Sequence, residues 1–273
     1  MRVLVALEAE PYGLPWTKPL SEEQFQIHLE RALSLRDLSD DWLRINGVTF
    51  TRGGPCWPGF MRLRQPSKGP YGELTTGVSF VSAEKARTAM EFAAARGLRL
   101  NIIAVGDQEH DEYLDQLEAV AAHHDIRSQH WILQHAFVVE PDQARRYAAL
   151  GLDITTSMSF SWGKGDLFVA RVGEYILEHL IPLRRLLDAG ITVACGADWG
   201  PKNVFEHIEL AMWTRDAARV LGWEGIGTLA PGHHADMIIV DRDPLTCSLD
   251  DLPRTRVLRT LLGGETVYDA GIL

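Results

Sequence analysis

Two residues able to hold a metal or move a proton close short apolar runs: His135 ends "WILQH" and Asp198 ends "VACGAD". A neutral imidazole and a carboxylate are both good zinc ligands, and a carboxylate beside an attacking water can serve as its general base. Taken alone, one histidine and one aspartate have ordinary readings, a core histidine bonded to backbone and a cap or turn aspartate. Trp162 and Lys164 in "SFSWGKGD", and Trp199 in "ADWG", lie in loops that follow such runs, where substrate contacts concentrate. The alternative for the first loop is a turn that packs Trp162 on the body. Cys56, in "GGPCWPG", offers a thiolate, a soft metal ligand. The pairs His123-His124 and His233-His234 point their side chains apart and read as solvated surface. His130 stands at the start of its strand, the wrong end for a site, and Asp107 is assigned to capping and to holding the neighbouring loop.

The elements that must position these residues alternate. Strand-like runs cover Arg2 to Ala9, Trp42 to Phe50, Leu98 to Val105, Trp131 to Phe137, Asp153 to Ser159 and Ile191 to Ala197, with helical patterns between them. The helices carry start and stop signals: Ser21 with Gln24, Ser82 with Lys85 up to Gly97, Asp107 as a cap, and Pro141 with Gly151. Another helix is expected over Leu180 to Leu187, ending at Gly190. Parallel strands joined by crossover helices collect functional groups at their C-terminal ends, where His135 and Asp198 stand. Past Ala211 the texture changes: Met237 to Val240, Val257 to Leu262 and Thr266 to Tyr268 read as strands of a small β module. The expected division is an α/β body over 1–222 and a β-rich part over 223–273.

Composition bounds the function. With 273 residues and 46% hydrophobic content the chain can bury a sizeable core, and a net charge of −10 spread along its length argues against a phosphate-tracking, nucleic-acid-binding surface. No run approaches the roughly 18 to 20 apolar residues of a membrane span, so no membrane partner and a cytoplasmic location are expected. Three widely spaced cysteines suggest no disulfide framework.

Taken in order, several stretches resemble the amidohydrolase superfamily, and within it amidohydrolase family 3. They are Asp41 to Val48, "AVGD" ending at Asp107, "QHA" around His135, "LLDAG" ending at Gly190, "GAD" ending at Asp198, and the tail "GTLAPGHHAD" from Gly227 with "DRDPLT" from Asp241. The resemblance implies a TIM-like (β/α)8 barrel, here partial with about six strand-helix units, plus C-terminal strands of a small β-sandwich. It implies hydrolysis of a non-peptide C–N bond of an amide, carbamate or related small molecule by water activated on a divalent metal, zinc above all. Asp198 matches the family's general base, and His135 and Asp198 match metal ligands.

The departures are specific. The family's His-x-His pair on its first barrel strand has no counterpart in this chain, Thr49 stands where a bridging lysine is expected, and Ile103 where a metal-binding histidine is expected. The N-terminal part of the family pattern is missing. Two functional classes follow: a metal-dependent hydrolase, or a non-catalytic or truncated barrel remnant acting in assembly or binding. A barrel short of two strands exposes unpaired edges, so a homo-oligomer or a complementary chain is the expected partner besides the small-molecule substrate.

Overall fold

A computed structural model describes residues 2–11, 18–161, 163–196, 198, 203, 205 and 214–271. The chain forms two compact units, one of residues 2–156 and 163–193, the other of residues 157–162 and 194–273.

The larger unit is built on the strands β1 (Val3–Glu8), β2 (Leu43–Thr51), β5 (Leu100–Ala104), β6 (Ile132–His135) and β7 (Asp153–Thr156), and on β8 (Val193–Cys195), whose first residue closes the unit. Their order in the sheet is β1-β2-β5-β6-β7-β8. The pairings from β1 to β7 are parallel, with Val3 opposite Leu43, Val48 opposite Leu100, Asn101 opposite Ile132 and Ile132 opposite Asp153. Parallel neighbours require crossover connections. These are α1 (Glu22–Leu35), α2 (Ala83–Arg96), α3 (Asp107–Ala121) and α4 (Pro141–Leu150), one per crossover, then α5 (Gly165–Val172), α6 (Ile176–His179) and α7 (Leu183–Asp188) before β8. A short hairpin, β3 (Ser67–Lys68) with β4 (Leu74–Thr75), decorates the β2–α2 connection and had no sequence signature.

Local chemistry explains the boundaries. Ser21 and Gln24 form a reciprocal capping box at α1, and Ser82 accepts the N–H of Lys85 at α2. Gly97 and Gly151 end α2 and α4 at φ of 63° and 75°, a left-handed conformation glycine adopts without strain. The α3 cap differs from expectation: Gly106 holds the cap position, and Asp107 is the first helical residue. The helix expected from Leu180 begins only at Leu183, because Ile181 has a φ of 44° and Pro182 precedes the first turn. The strand expected to run to Ser159 stops at Thr156, since residues 158–161 coil into a 3-10 turn.

The core lies between the sheet and its helices. Val48, Phe50, Leu100, Ile102, Leu133 and Ile154 of the strands are fully buried with Phe25, Leu29, Met90, Leu114, Leu117 and Tyr147 of the helices. Each large apolar side chain so buried is worth about 1.5–3 kcal/mol. Trp131 is fully buried and gives its indole N–H to the carbonyl of Leu98 at 3.0 Å.

The smaller unit contains β9 (Met237–Val240), β10 (Val257–Leu262) and β11 (Glu265–Asp269) in an antiparallel sheet ordered β11-β10-β9. The two-residue turn Gly263-Gly264, with φ of 60° and 86°, is the kind that matches the twist of a hairpin. Among the described residues no helix is long and apolar enough to cross a membrane.

Candidate functional site

His135 is the last residue of β6, in register with Ala104 of β5. Its φ is 73°, and Ala136 follows at 43°, two successive non-glycine residues in the left-handed region. Such backbone costs on the order of 1–3 kcal/mol per residue and persists where the surroundings over-determine it. Thr156 Oγ1 donates to the His135 carbonyl at 2.6 Å, and Val138 N–H donates to the Val105 carbonyl at 2.9 Å. Ile181 N–H donates to the Phe137 carbonyl at 2.7 Å, and Ala136 and Phe137 are fully buried. The strand end is thereby locked in its turn, with the imidazole half-buried.

Against that ring stands Cys56. Its buried thiol lies with Sγ 3.9 Å from His135 Nδ1. The next residue, Trp57, has the Lys164 ammonium over its ring at 4.5 Å from the centroid. Lys164 occupies the position before α5 and is buried. The larger unit therefore brings together His135 with Cys56, and Lys164 with Trp57. Asp198 belongs to the smaller unit, where it follows β8 by three residues; it is exposed and has a φ of 44°. Trp162 and Trp199 lie outside the described residues.

The loop carrying Cys56 is held from beneath by α3. Glu109, fully buried, accepts the N–H of Gly53 at 2.6 Å and the N–H of Val105 at 3.0 Å, tying the residues after β2 to those after β5. Burial pushes its carboxyl up to about 7, against the lowering effect of those two N–H groups. Tyr113 Oη accepts the N–H of Arg52 at 3.1 Å, and Arg52 pairs with Glu112 at 2.6 Å. Asp107 accepts the N–H groups of Arg64 at 3.0 Å and of Gln108 at 2.9 Å, so it does hold the neighbouring loop, while burial raises its carboxyl above the usual range. One helix turn on, His110 is fully buried with Nδ1 2.9 Å from the Tyr147 hydroxyl, and burial pulls its imidazole down to about 3.

Glu109 and His110 were not picked out by sequence reasoning. A signal existed: Glu109 lies four residues before Tyr113, on the same apolar stripe as Leu117, so its position is a core position. The approach of Cys56 to His135, 79 residues apart, had no signal beyond the loop position. Of the histidines read as surface, His123, His130 and His233 are exposed, whereas His124 and His234 are half-buried and His124 meets Glu91 at 3.2 Å. Among the described residues no group of three or more His, Cys, Asp and Glu side chains could hold a metal ion.

Comparison with known proteins gives the family and the fold. Residues 57–209 and 207–268 match the family model described as the amidohydrolase family. The N-substituted formamide deformylase of Arthrobacter pascens is 28% identical over 224 residues, 71% of this chain and 41% of the relative. An uncharacterized metal-dependent hydrolase from Pyrococcus furiosus superposes with a TM-score of 0.66 at 24% identity, over 80% of this chain and 50% of that one. Atrazine chlorohydrolase from Arthrobacter aurescens TC1, complexed with zinc, gives 0.61 at 19% identity, over 98% and 62%. The chain thus spans about two fifths to three fifths of the length of these relatives. The fold they share with it makes the six-strand sheet and its helices a partial TIM-like barrel, accompanied by C-terminal antiparallel strands.

Proposed function

Because this chain belongs to the amidohydrolase family, we propose that it carries part of the active site of a hydrolase acting on a non-peptide C–N bond of an amide, carbamate or related small molecule. The observation that carries the reading is backbone geometry within the matched region. His135 ends β6 and Asp198 follows β8, and both are held with φ in the left-handed region, at 73° and 44°. Non-glycine backbone held in this region clusters at active sites and ligand clamps.

In this reading Asp198 is the general base. Its exposed carboxylate takes a proton from the attacking water and returns it to the leaving nitrogen, so that an amide yields a carboxylic acid and an amine, and a carbamate yields a carbonic monoester and an amine. Lys164, Trp162 and Trp199 contact the substrate. A divalent metal, zinc in the first place, would supply an activated water and polarise the carbonyl, with His135 and Asp198 as its donors from this chain. A catalytic zinc takes three protein ligands and a water. The described residues do not assemble three donors, so they do not by themselves fit that centre. Further donors would come from a second copy or a complementary chain.

That short donor set also favours the second reading, a non-catalytic barrel remnant that acts in assembly. Its edge strand β1 has a sheet neighbour on one side only among the described residues, and such an edge invites pairing. The two readings separate in one experiment. Size-exclusion fractions of the chain are assayed for zinc content and for amine release from N-acyl and carbamate compounds. Release in an oligomeric, zinc-containing fraction supports the hydrolase; zinc-free fractions that remain inert after zinc is added leave the remnant.

A further inference from the structure

The loop that carries Cys56 lies against the end of β6, with its thiol on the His135 ring, and one buried side chain of α3 ties that loop to the next. We propose that Glu109 is a proton-operated latch: the loop after β2 stays closed over His135 while the carboxyl is neutral, and opens to admit water when it ionises.

The latch bridges two strand ends. One carboxyl oxygen accepts the Gly53 N–H at 2.6 Å, just after β2, and the other accepts the Val105 N–H at 3.0 Å, just after β5. The side chain is fully buried, and Gly53 fits it so closely that a Cβ there would stand 2.7 Å from the carboxyl carbon. Arg52 is held on both sides, by Tyr113 Oη on its N–H at 3.1 Å and by the Phe80 N–H on its carbonyl at 2.6 Å. The segment that swings therefore begins at Gly53 and carries Cys56.

Ionisation works against the closed loop. A carboxylate offers about four lone-pair sites, and the two N–H groups meet half of them. Arg52 and Arg62 face the group from the chain after β2, yet both are paired with Glu112, so neither forms an ion pair with Glu109 itself. Tyr113 of α3 and Tyr147 of α4 also face it, and burial holds both hydroxyls well above their ordinary range, in the neutral form. His110, its neighbour on α3, is likewise kept neutral by burial. An under-solvated buried charge costs more than a neutral acid, and burial accordingly brings the carboxyl up to about 7.

Opening the loop lets water complete the shell and returns the group toward its ordinary value near 4.3 to 4.5. The closed form thus holds the proton more tightly than the open one. Opening is favoured as pH rises from about 4.5 to 7 and changes little above 7. Access to His135 then depends on pH whether or not the chain hydrolyses anything.

The test is amide hydrogen exchange of the full chain between pH 5 and pH 8.5, each rate divided by the intrinsic rate at that pH. Protection of Gly53 is expected to fall on the order of 10- to 100-fold and to level off near pH 7. The buried strand amides of Ile102 and Leu133 should stay better protected than Gly53 throughout, and the fall at Gly53 should vanish in Glu109→Gln. Should that variant not fold, the wild-type profile decides, since a fall that continues past pH 8 without levelling would not belong to this group. A flat profile at Gly53, the same fall in folded Glu109→Gln, or equal protection of Gly53 and the strand amides at every pH would each overturn the latch. The last result would mean that the loop opens only when the whole chain unfolds. No hydrolysis enters these measurements, so failure of the proposed function leaves the result intact.

Discussion

The Glu109 carboxylate accepts the N–H of Gly53 at 2.6 Å, and Gly53 packs so closely on it that an added methyl would stand 2.7 Å from that carboxyl group. At Gly53, helix α3 therefore holds the loop that presents Cys56 through both a hydrogen bond and a steric fit. Gly53→Ala is expected to destabilise the chain by about 1–3 kcal/mol, because the clash is with a fully buried group that cannot move into solvent. Combined with Glu109→Ala, which makes room for the methyl, it should cost clearly less than the sum of the single changes. Denaturant melts of the four proteins measure the coupling, and strict additivity would show that the two positions are not in contact.

Glu109 also sets a pH dependence. Its folded-state value of about 7 lies above the unfolded value near 4.3–4.5, so the folded chain holds this proton more tightly. The stability it contributes is fully present below about pH 4.5 and is lost as pH rises through 7. Relative to Glu109→Gln, the wild type should lose on the order of 3 kcal/mol across that window. Urea melts at pH 5 and pH 8 read the difference, and a gap that grows in favour of the wild type with rising pH would refute the assignment.

His110 runs the other way. Its imidazole is held neutral, down to about 3 against an unfolded value near 6.5, so the stability it contributes is present above 6.5 and lost as pH falls toward 3. His110→Phe leaves the buried Tyr147 hydroxyl without this partner and should cost about 1–3 kcal/mol at pH 7. That cost should shrink at pH 5. The same melts test it, and a cost that is constant with pH would mean that the imidazole does not titrate against folding.

These groups show where the sequence was readable. Helix ends followed from side-chain chemistry at single positions, Ser21, Ser82, Gly97, Pro141 and Gly151, which act on their own neighbours and need no knowledge of the fold. Strands β9 and β10 came out with their expected limits because β-branched runs between turn residues are local signals. His135 could be placed at a strand end for the same reason. What could not be read is whatever long-range packing decides: that Glu109, within the acidic stretch "DQEHDE", is turned inward under Gly53, and that Cys56 is folded back onto a residue 79 positions away. Pro182 and the left-handed Ile181 likewise overrode the apolar spacing that suggested a longer helix. Trp162 and Trp199 fall outside the described residues, so their assignment rests on sequence alone.

The most direct test of the proposed hydrolysis is amine release from N-acyl and carbamate compounds, comparing the chain with Asp198→Asn in matched, zinc-supplemented oligomeric fractions. Removing the general base should lower the rate by roughly 10²–10⁴-fold while the variant elutes and melts as the wild type does. Equal rates in the two proteins, or no amine from the wild type in any fraction, would contradict the account.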